Sequence, residues 1–333
     1  MRNDSTIYDV AREAGVSIAT VSRVMNHPER VAPVTRSRIL SVMTRLGFSP
    51  TSEAVARARV GLKRVGVVAP FAWSYSFVQR IRGLSKHLSP REYEITTYSV
   101  ENRGQLDSVF AMLSAGDRVD GVVVMALPLD KEALMLFRRR GMPLVSLETR
   151  IEYVCSILSD NQEGGRIAAE YLLRKGYRHP AFLGEGGHPD YVVDSARSRF
   201  QAFSERLGAG EIEMEKEHIC FHYAGAYYAR GAARKLISGK FLPEVVFAAS
   251  DYDALILYRI ARNAGLQVPG DLAILGYDNI EAAEFIGLST IDQQLDESGR
   301  LAAKMIELAF RGSFGQIPEV IRLPVTLIER DTA

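Results

Sequence analysis

Two sets of side chains in this sequence have types and spacings that could do chemistry, and neither set is catalytic. The first lies in TIYDVAREAGVSIATVSRVMN, residues 6–26. Thr20, Ser22, Arg23 and Asn26 sit on its second half, and Arg30, Thr35 and Arg36 follow closely. Hydroxyl, amide and guanidinium groups are donors, and a dense run of them suits phosphate oxygens. Arg23 can clamp a phosphate or donate two bonds to the edge of a guanine. Charge points the same way. Residues 1–64 hold eleven Lys and Arg against five Asp and Glu, a balance of +6, while the remainder stands at −5 and the whole chain at +1. A basic head on an acidic body predicts that the head meets a polyanion.

The second set is spread along the chain, each member at the end of a short apolar run or at a chain crossing. Arg199 lies in SARSRF, Ser250 and Asp251 in ASDYDA, Asp278 in GYDN, and Gln293 near 289–294. Phe71, Trp73, Tyr75 and Phe77 follow the apolar run 65–70. Planar polar side chains hydrogen-bond hydroxyls in pairs, and aromatic rings take the C–H faces of a ring, so this set suits a sugar. Each position has a plainer use. Asp278 can cap a turn, Asp251 can cap the next helix, and the aromatics can be core or interface.

Elements must position these groups. Ile7, Val10, Ala11 and Ala14 recur at helical spacing, with Thr6 placed to cap the helix and Gly15 to end it. Ser17 can cap a second helix in which Val21 and Val24 face inward and Ile18, Ala19, Thr20, Ser22 and Arg23 outward. A third helix is expected over 35–46, burying Ile39, Leu40, Val42, Met43 and Leu46. Small residues at the crossing make this a helix-turn-helix, whose second helix enters the major groove of double-stranded DNA. Ile18 and Ala19 would then touch thymine methyls, having no polar group for bidentate bonds.

From residue 65 short apolar runs alternate with amphipathic helices. Strands are expected at 65–70, 93–98, 121–125 and 143–147, with helices at 77–88, 105–115 and 131–139. A second series has helices at 165–175, 196–207, 226–238 and 253–264 and strands at 180–184, 219–221, 245–248 and 272–276. That alternation means parallel sheets covered by helices on both faces. Two such lobes leave a cleft at the carboxyl ends of their strands.

The runs DVAREAGVSIATVSRVMN, VTRSRI and LGFSP resemble the head of the LacI/GalR family, and the likeness continues through most of the chain. The resemblance implies an all-α helix-turn-helix head plus an α/β periplasmic-binding-protein-like core of two parallel-sheet lobes. It divides the chain into a DNA-binding domain (1–48), a hinge linker (49–64) and an effector-binding and dimerisation core (65–333). Lobe 1 is about 65–160 and 290–322, lobe 2 about 161–289 and 323–333. It implies that Ile18 and Ala19 read bases and that Arg199 and Asp278 meet the effector. Tyr227 falls where the family usually stacks an aromatic on it. In the family a leucine in the hinge wedges into the minor groove; here Arg57 stands at that place, with Arg59 beside it. These two arginines enter a narrow minor groove electrostatically, or the linker is a disordered basic tether.

The sequence therefore predicts a homodimeric transcriptional repressor whose operator affinity follows a small-molecule effector, a sugar before a purine. An activator of the same architecture is the alternative, and a solute-binding protein a more distant one. No GxSxG run, carboxylate dyad or metal-ligand spacing stands out, so no enzyme, cofactor or metal is expected. LGEGGHPD lacks phosphate-loop spacing. Cys155 and Cys220 have no CxxC partner and read as reduced thiols. The N-terminus is polar, and no stretch nears the ~18 apolar residues that span a membrane. A cytoplasmic protein is expected.

Overall fold

The computed structural model describes residues 5–26, 30–48, 62–70, 74–88, 92–116, 118–186, 192–313, 315 and 317–333. Arg57, Arg59, Phe71, Trp73 and the side chain of Asn26 lie outside the described residues. The chain divides into two compact units, Met1–Leu62 and Lys63–Ala333.

Among its described residues the first unit holds three helices. Helix α1 (Ile7–Ala14) opens on a capping box, in which Thr6 N donates to Asp9 Oδ2 at 2.9 Å and Asp9 N donates to Thr6 Oγ1 at 3.4 Å. Gly15 ends it at φ 62°, the left-handed conformation that lets the chain turn at once. Ser17 Oγ accepts from Thr20 N at 3.2 Å where α2 (Ile18–Asn26) begins. Helix α3 (Pro33–Leu46) starts at a proline, two residues before the expected start. Val10, Ala11, Ala14, Val21, Val24, Ile39 and Val42 bury against one another. Leu40 does not join them and is 48% exposed. It lies about 100° round the helix from Ile39, on the side away from Val42 and Leu46, and so falls outside the stripe that packs.

The second unit is built on two six-stranded sheets. The first takes β1 (Lys63–Pro70), β2 (Tyr93–Val100), β3 (Gly121–Met125), β4 (Leu144–Leu147), β5 (Cys155–Ser159) and β11 (Val320–Leu323). Their order is β11-β5-β4-β3-β1-β2, and every pair is parallel. The second takes β6 (Pro180–Glu185), β7 (Ile219–His222), β8 (Val245–Ala248), β9 (Ala273–Asp278), β10 (Ser289–Asp292) and β12 (Thr326–Ile328). Their order is β12-β10-β9-β8-β6-β7, with only β12 antiparallel. Helices α4 (Tyr75–His87), α5 (Arg103–Ala115), α6 (Lys131–Arg139) and α12 (Leu295–Phe310) cover the first sheet. Helices α7 (Asn161–Lys175), α8 (Ser195–Gly208), α9 (Ala226–Ile237) and α10 (Asp251–Asn263) cover the second, with the short α11 (Glu281–Phe285). Alternate residues bury on opposite faces: Val65, Val67 and Val123 on one side, Val68, Val122 and Val124 on the other. That is why the strands read as unbroken apolar runs.

The chain passes between the sheets three times, after β5, after β10 and between β11 and β12. Strand β10 pairs with β9, so residues 290–292, expected in lobe 1, belong to the second sheet. Strand β5 and helix α12 had no counterpart in the sequence reading. The run CSILS is short and half polar, yet Ser156 Oγ accepts from Ile151 N at 3.1 Å and so buries at little cost.

Helix α12 packs on α4 backbone to backbone. A Cβ at Gly299 would collide with the carbonyl oxygen of Arg80, and one at Gly83 with that of Asp296. Overpacking of this kind costs ~1–3 kcal/mol. Gly299→Val is therefore expected to lower the melting temperature by about 3–10 °C, read by calorimetry; an unchanged melt would contradict the contact.

Candidate functional site

Two surfaces bring predicted groups together, one on each unit. On α2 the residues 18, 19, 22, 23 and 26 fall within about 140° of the helix circumference, opposite the buried Val21 and Val24. Ser17, Ile18, Ala19 and Arg23 are exposed, and Thr20, Ser22 and Thr35 half-buried. Arg30 is exposed just before α3. Ser17 and Thr20 share a hydroxyl–hydroxyl bond of 2.9 Å. Thr6 is exposed too, but its hydroxyl donates to Asp9 Oδ2 at 2.6 Å, so capping is its first occupation.

On the second unit a cavity of about 670 Å³ opens between the two sheets, walled by residues at or just beyond the carboxyl ends of their strands. The first lobe gives Tyr75, Phe77 and Arg80 from α4, Glu101 after β2 and Glu148 after β4. The second gives Glu185 from β6, Arg199 from α8, Ser250 and Asp253 around the start of α10, and Asp278 from β9. Gln293, on the second crossing, lies between them.

A buried polar chain runs through the floor. Arg80 Nη2 donates to Glu148 Oε1 at 2.7 Å and to Gln293 Oε1 at 3.0 Å. Ser159 Oγ donates to the same Glu148 oxygen at 2.9 Å. Gln293 Nε2 donates to Asp278 Oδ1. Arg199 Nη1 lies 3.9 Å from that oxygen and donates to the Ala249 carbonyl at 2.5 Å, while its Nε donates to Asn161 Oδ1 at 2.8 Å. The guanidinium lies 3.6 Å from the centroid of the Tyr277 ring, a cation–π contact. Burial pushes the Asp278 carboxyl up to about 7, with Arg199 pulling it back. Asp278 and Asn279 hold φ of 125° and 57°, conformations that cost non-glycine residues of order 1–3 kcal/mol each and gather at functional sites.

Behind the Glu185 end lies a second buried group. His222 Nε2 stands 3.2 Å from Asp253 Oδ1, and its Nδ1 is 2.8 Å from the Tyr223 carbonyl. Burial depresses the imidazole, but Asp253 more than offsets it and the pKa is raised. Burial first, and then Asp253, pushes Glu185 up to about 7.

Two sequence expectations need correction. Asp251 does not line the cavity. It is fully buried, with Oδ2 accepting from Ile280 N at 2.9 Å and Oδ1 from the Thr290 hydroxyl at 2.6 Å. Nor is it the cap of α10: Ser250 Oγ accepts from Asp253 N at 3.1 Å. Tyr227 is 82% exposed and lines a separate depression of about 430 Å³ with Tyr223 and Tyr228. Ala224, Gly225 and Ala226 take the cavity side, and one residue further the helix has turned away. The aromatic across from Tyr75 is Tyr252, with ring centroids 5.8 Å apart and 36° between planes. Sequence reasoning missed Tyr252, Asp253, Glu185, Arg80, Glu148 and Glu101. The signal for two of them was present: Glu148 directly follows the run 144–147, and Glu185 ends the run 180–185.

Among the described residues no cluster of three or more His, Cys, Asp or Glu could hold a metal ion, and no helix is long and apolar enough to cross a membrane.

Comparison with known proteins bears on both surfaces. The model of bacterial regulatory proteins, lacI family, matches residues 6–51, and that of the periplasmic binding protein-like domain matches residues 169–333. The chain belongs to the LacI/GalR family. Among its relatives in that family are the HTH-type transcriptional repressors PurR of Vibrio cholerae serotype O1 (strain M66-2), 27% identical over 98% of each chain, and of Yersinia pestis bv. Antiqua (strain Antiqua), 28% identical over 98% of this chain and 96% of the other. This LacI/GalR protein also resembles the transcriptional regulator CelR in its cellobiose complex (25% identity, TM-score 0.69, 99% of this chain and 100% of that one). It shares its fold with the lac repressor dimer bound to operator and the anti-inducer ONPF (24% identity, TM-score 0.69, 99% of each chain).

Proposed function

We propose that this transcriptional regulator is a cytoplasmic, dimeric repressor that leaves its operator, or seats on it, according to occupancy of the cavity by a neutral-ring ligand of the sugar class. The observation that carries the reading is the cavity's wall. Arg199, Asp278, Gln293 and Arg80 offer forked or planar polar groups from both lobes, and a ligand bridging them stabilises the closed arrangement over the open one. Binding at one site then changes affinity at the other by a reciprocal coupling free energy. The named repressor relatives favour repression over activation, and the cellobiose complex of CelR favours a sugar.

A purine is the second candidate, and the aromatic pair weighs against it. Sandwiching a planar base takes ring planes about 7 Å apart, twice a ~3.5 Å contact. Tyr75 and Tyr252 are closer than that and tilted, so they make one wall and not a slot.

A thermal-shift screen of neutral mono- and disaccharides against purine bases tests the reading. A sugar at one hundred times its Kd should stabilise the protein by about 2.7 kcal/mol, or roughly 5–10 °C, and should change operator affinity in the same preparation. Stabilisation by purines alone would overturn it.

A further inference from the structure

His222 and Asp253 face two different spaces. His222, at the end of β7, lines the depression that holds Tyr223, Tyr227 and Tyr228, while Asp253 lines the cavity between the lobes. Each side chain is 4% exposed, so the pair is a buried partition between the two. Both ring nitrogens of His222 stand beside oxygens. Nδ1 is 2.8 Å from the Tyr223 carbonyl, which can only accept. Nε2 is 3.2 Å from Asp253 Oδ1 and has no other hydrogen-bond partner among the described residues. A neutral imidazole has one N–H and one lone pair. Either neutral tautomer would set that lone pair against an oxygen at contact distance. The imidazolium, with two donors, suits both.

We infer that His222 is a positioning residue of the cavity, a buried imidazolium that holds the Asp253 carboxylate in the wall, so that affinity for the ligand follows the protonation of a group outside the lining. The inference rests on the reading of the cavity as the effector site. Backbone contacts fix both partners. Asp253 N donates to the Ser250 hydroxyl at 3.1 Å, and His222 is the register partner of Glu185 across β6 and β7. With His222 charged, Asp253 is held ionised, the state in which a carboxylate accepts most strongly from a ligand hydroxyl. With His222 neutral, Nδ1 keeps its proton for the carbonyl, and the Nε2 lone pair repels Oδ1 and turns the carboxylate away.

Charged groups on four elements face this pair. Glu185 lies beside His222 on β6, and Asp194 at the start of α8 acts on Glu185. Arg234 and Lys235 of α9 line the depression with His222, and Arg230 of the same helix acts on Tyr252, next to Asp253 on α10. Burial lowers the imidazole pKa, but the bond to Asp253 outweighs it, Glu185 adds to the rise, and the pKa is raised. The charged form therefore prevails below that raised value and empties as pH climbs through it. Glu185, pushed by burial to about 7, ionises in the same range and works the other way, favouring the imidazolium.

NMR of the histidine ring nitrogens in the full-length protein tests the pair without ligand, the His222 signals being assigned by their loss in His222→Gln. Both nitrogens are expected to carry protons at pH 6.5 and to titrate above that ordinary histidine value, and Asp253→Asn to bring the titration down. A neutral ring at pH 6.5, or a titration that Asp253→Asn leaves in place, overturns the inference. Calorimetric titration with cellobiose, glucose, galactose and mannose from pH 6 to pH 9 tests the consequence. The affinity of the best-bound sugar is expected to fall about ten-fold or more, the worth of a hydrogen bond to a charged group, with the midpoint of the His222 titration. His222→Gln, whose amide donates at any pH, should flatten that profile and recover most of the affinity that His222→Leu loses; circular dichroism checks the fold of both. A profile as steep in His222→Gln as in the unchanged protein belongs to Glu185 and overturns the positioning role, leaving the sugar reading standing. Binding of adenine and of no sugar overturns the sugar reading, and the same pH series on adenine then decides the role of His222. Binding of neither overturns both.

Discussion

Arg199→Ala is expected to abolish the response of operator binding to effector, with the thermal shift produced by ligand falling to near zero. The side chain does four things at once. It bonds Asn161, holds the Ala249 carbonyl, lies on the Tyr277 ring and stands beside Asp278. Those contacts fix the guanidinium and leave its remaining edge toward the cavity. Truncation removes the fork that pairs with ligand hydroxyls and leaves Asp278 without its nearest cation. Breaking a buried pair this way costs ~3–5 kcal/mol, so the unliganded melting temperature should fall by roughly 6–15 °C. Arg199→Lys separates the two losses. It keeps a positive charge for Asp278 but not the planar fork, so it should recover most of the stability and little of the response. A full response in Arg199→Ala would place the effector elsewhere.

How much of this was written in the sequence depends on which physical signal each element carries. Strands such as GVVVM at 121–125 are buried on both faces and stand out as apolar runs. Arg199 and Asp278 could be read because they follow such runs and match a family pattern. Strand β5 could not, since Ser156 and Ser159 bury through hydrogen bonds that only the folded neighbours supply. Helix α12 hides behind Gly299, a poor helix former kept where the backbone of α4 comes too close for a Cβ. The exchange of Tyr227 for Tyr252 is a matter of helical phase. Each sits near the start of a helix facing the cavity end, and a shift of one residue, about 100°, decides which enters. Asp251 and Asp253 show the converse. Two residues apart in one motif, they divide the work: the first anchors Thr290 and Ile280, the second lines the cavity. A sequence names the pair without saying which does which.

Operator affinity is expected to fall about a thousand-fold between 50 and 200 mM monovalent salt. If each head neutralises three phosphates, a dimer releases about six counterions, and the slope of log K against log salt is near −0.9 per contact, or about −5. A four-fold rise in salt then costs about three decades. The steepness follows from the division of labour on α2. Ile18 and Ala19 offer the bases only apolar contact, which salt leaves nearly untouched, so the screened part of the affinity belongs to the cationic and hydroxyl groups around them. Arg23 decides between two versions of this. As a phosphate clamp, its replacement in Arg23→Gln should lower the slope by about one per head and weaken all sequences alike. As a guanine reader, it should cost ~1–3 kcal/mol at one base pair of each half-site, relax the preference there and leave the slope nearly intact. Filter binding across a salt series, with the cognate operator and a set of single-base variants, distinguishes the two. A salt-independent affinity would remove the phosphate-binding role of the head altogether.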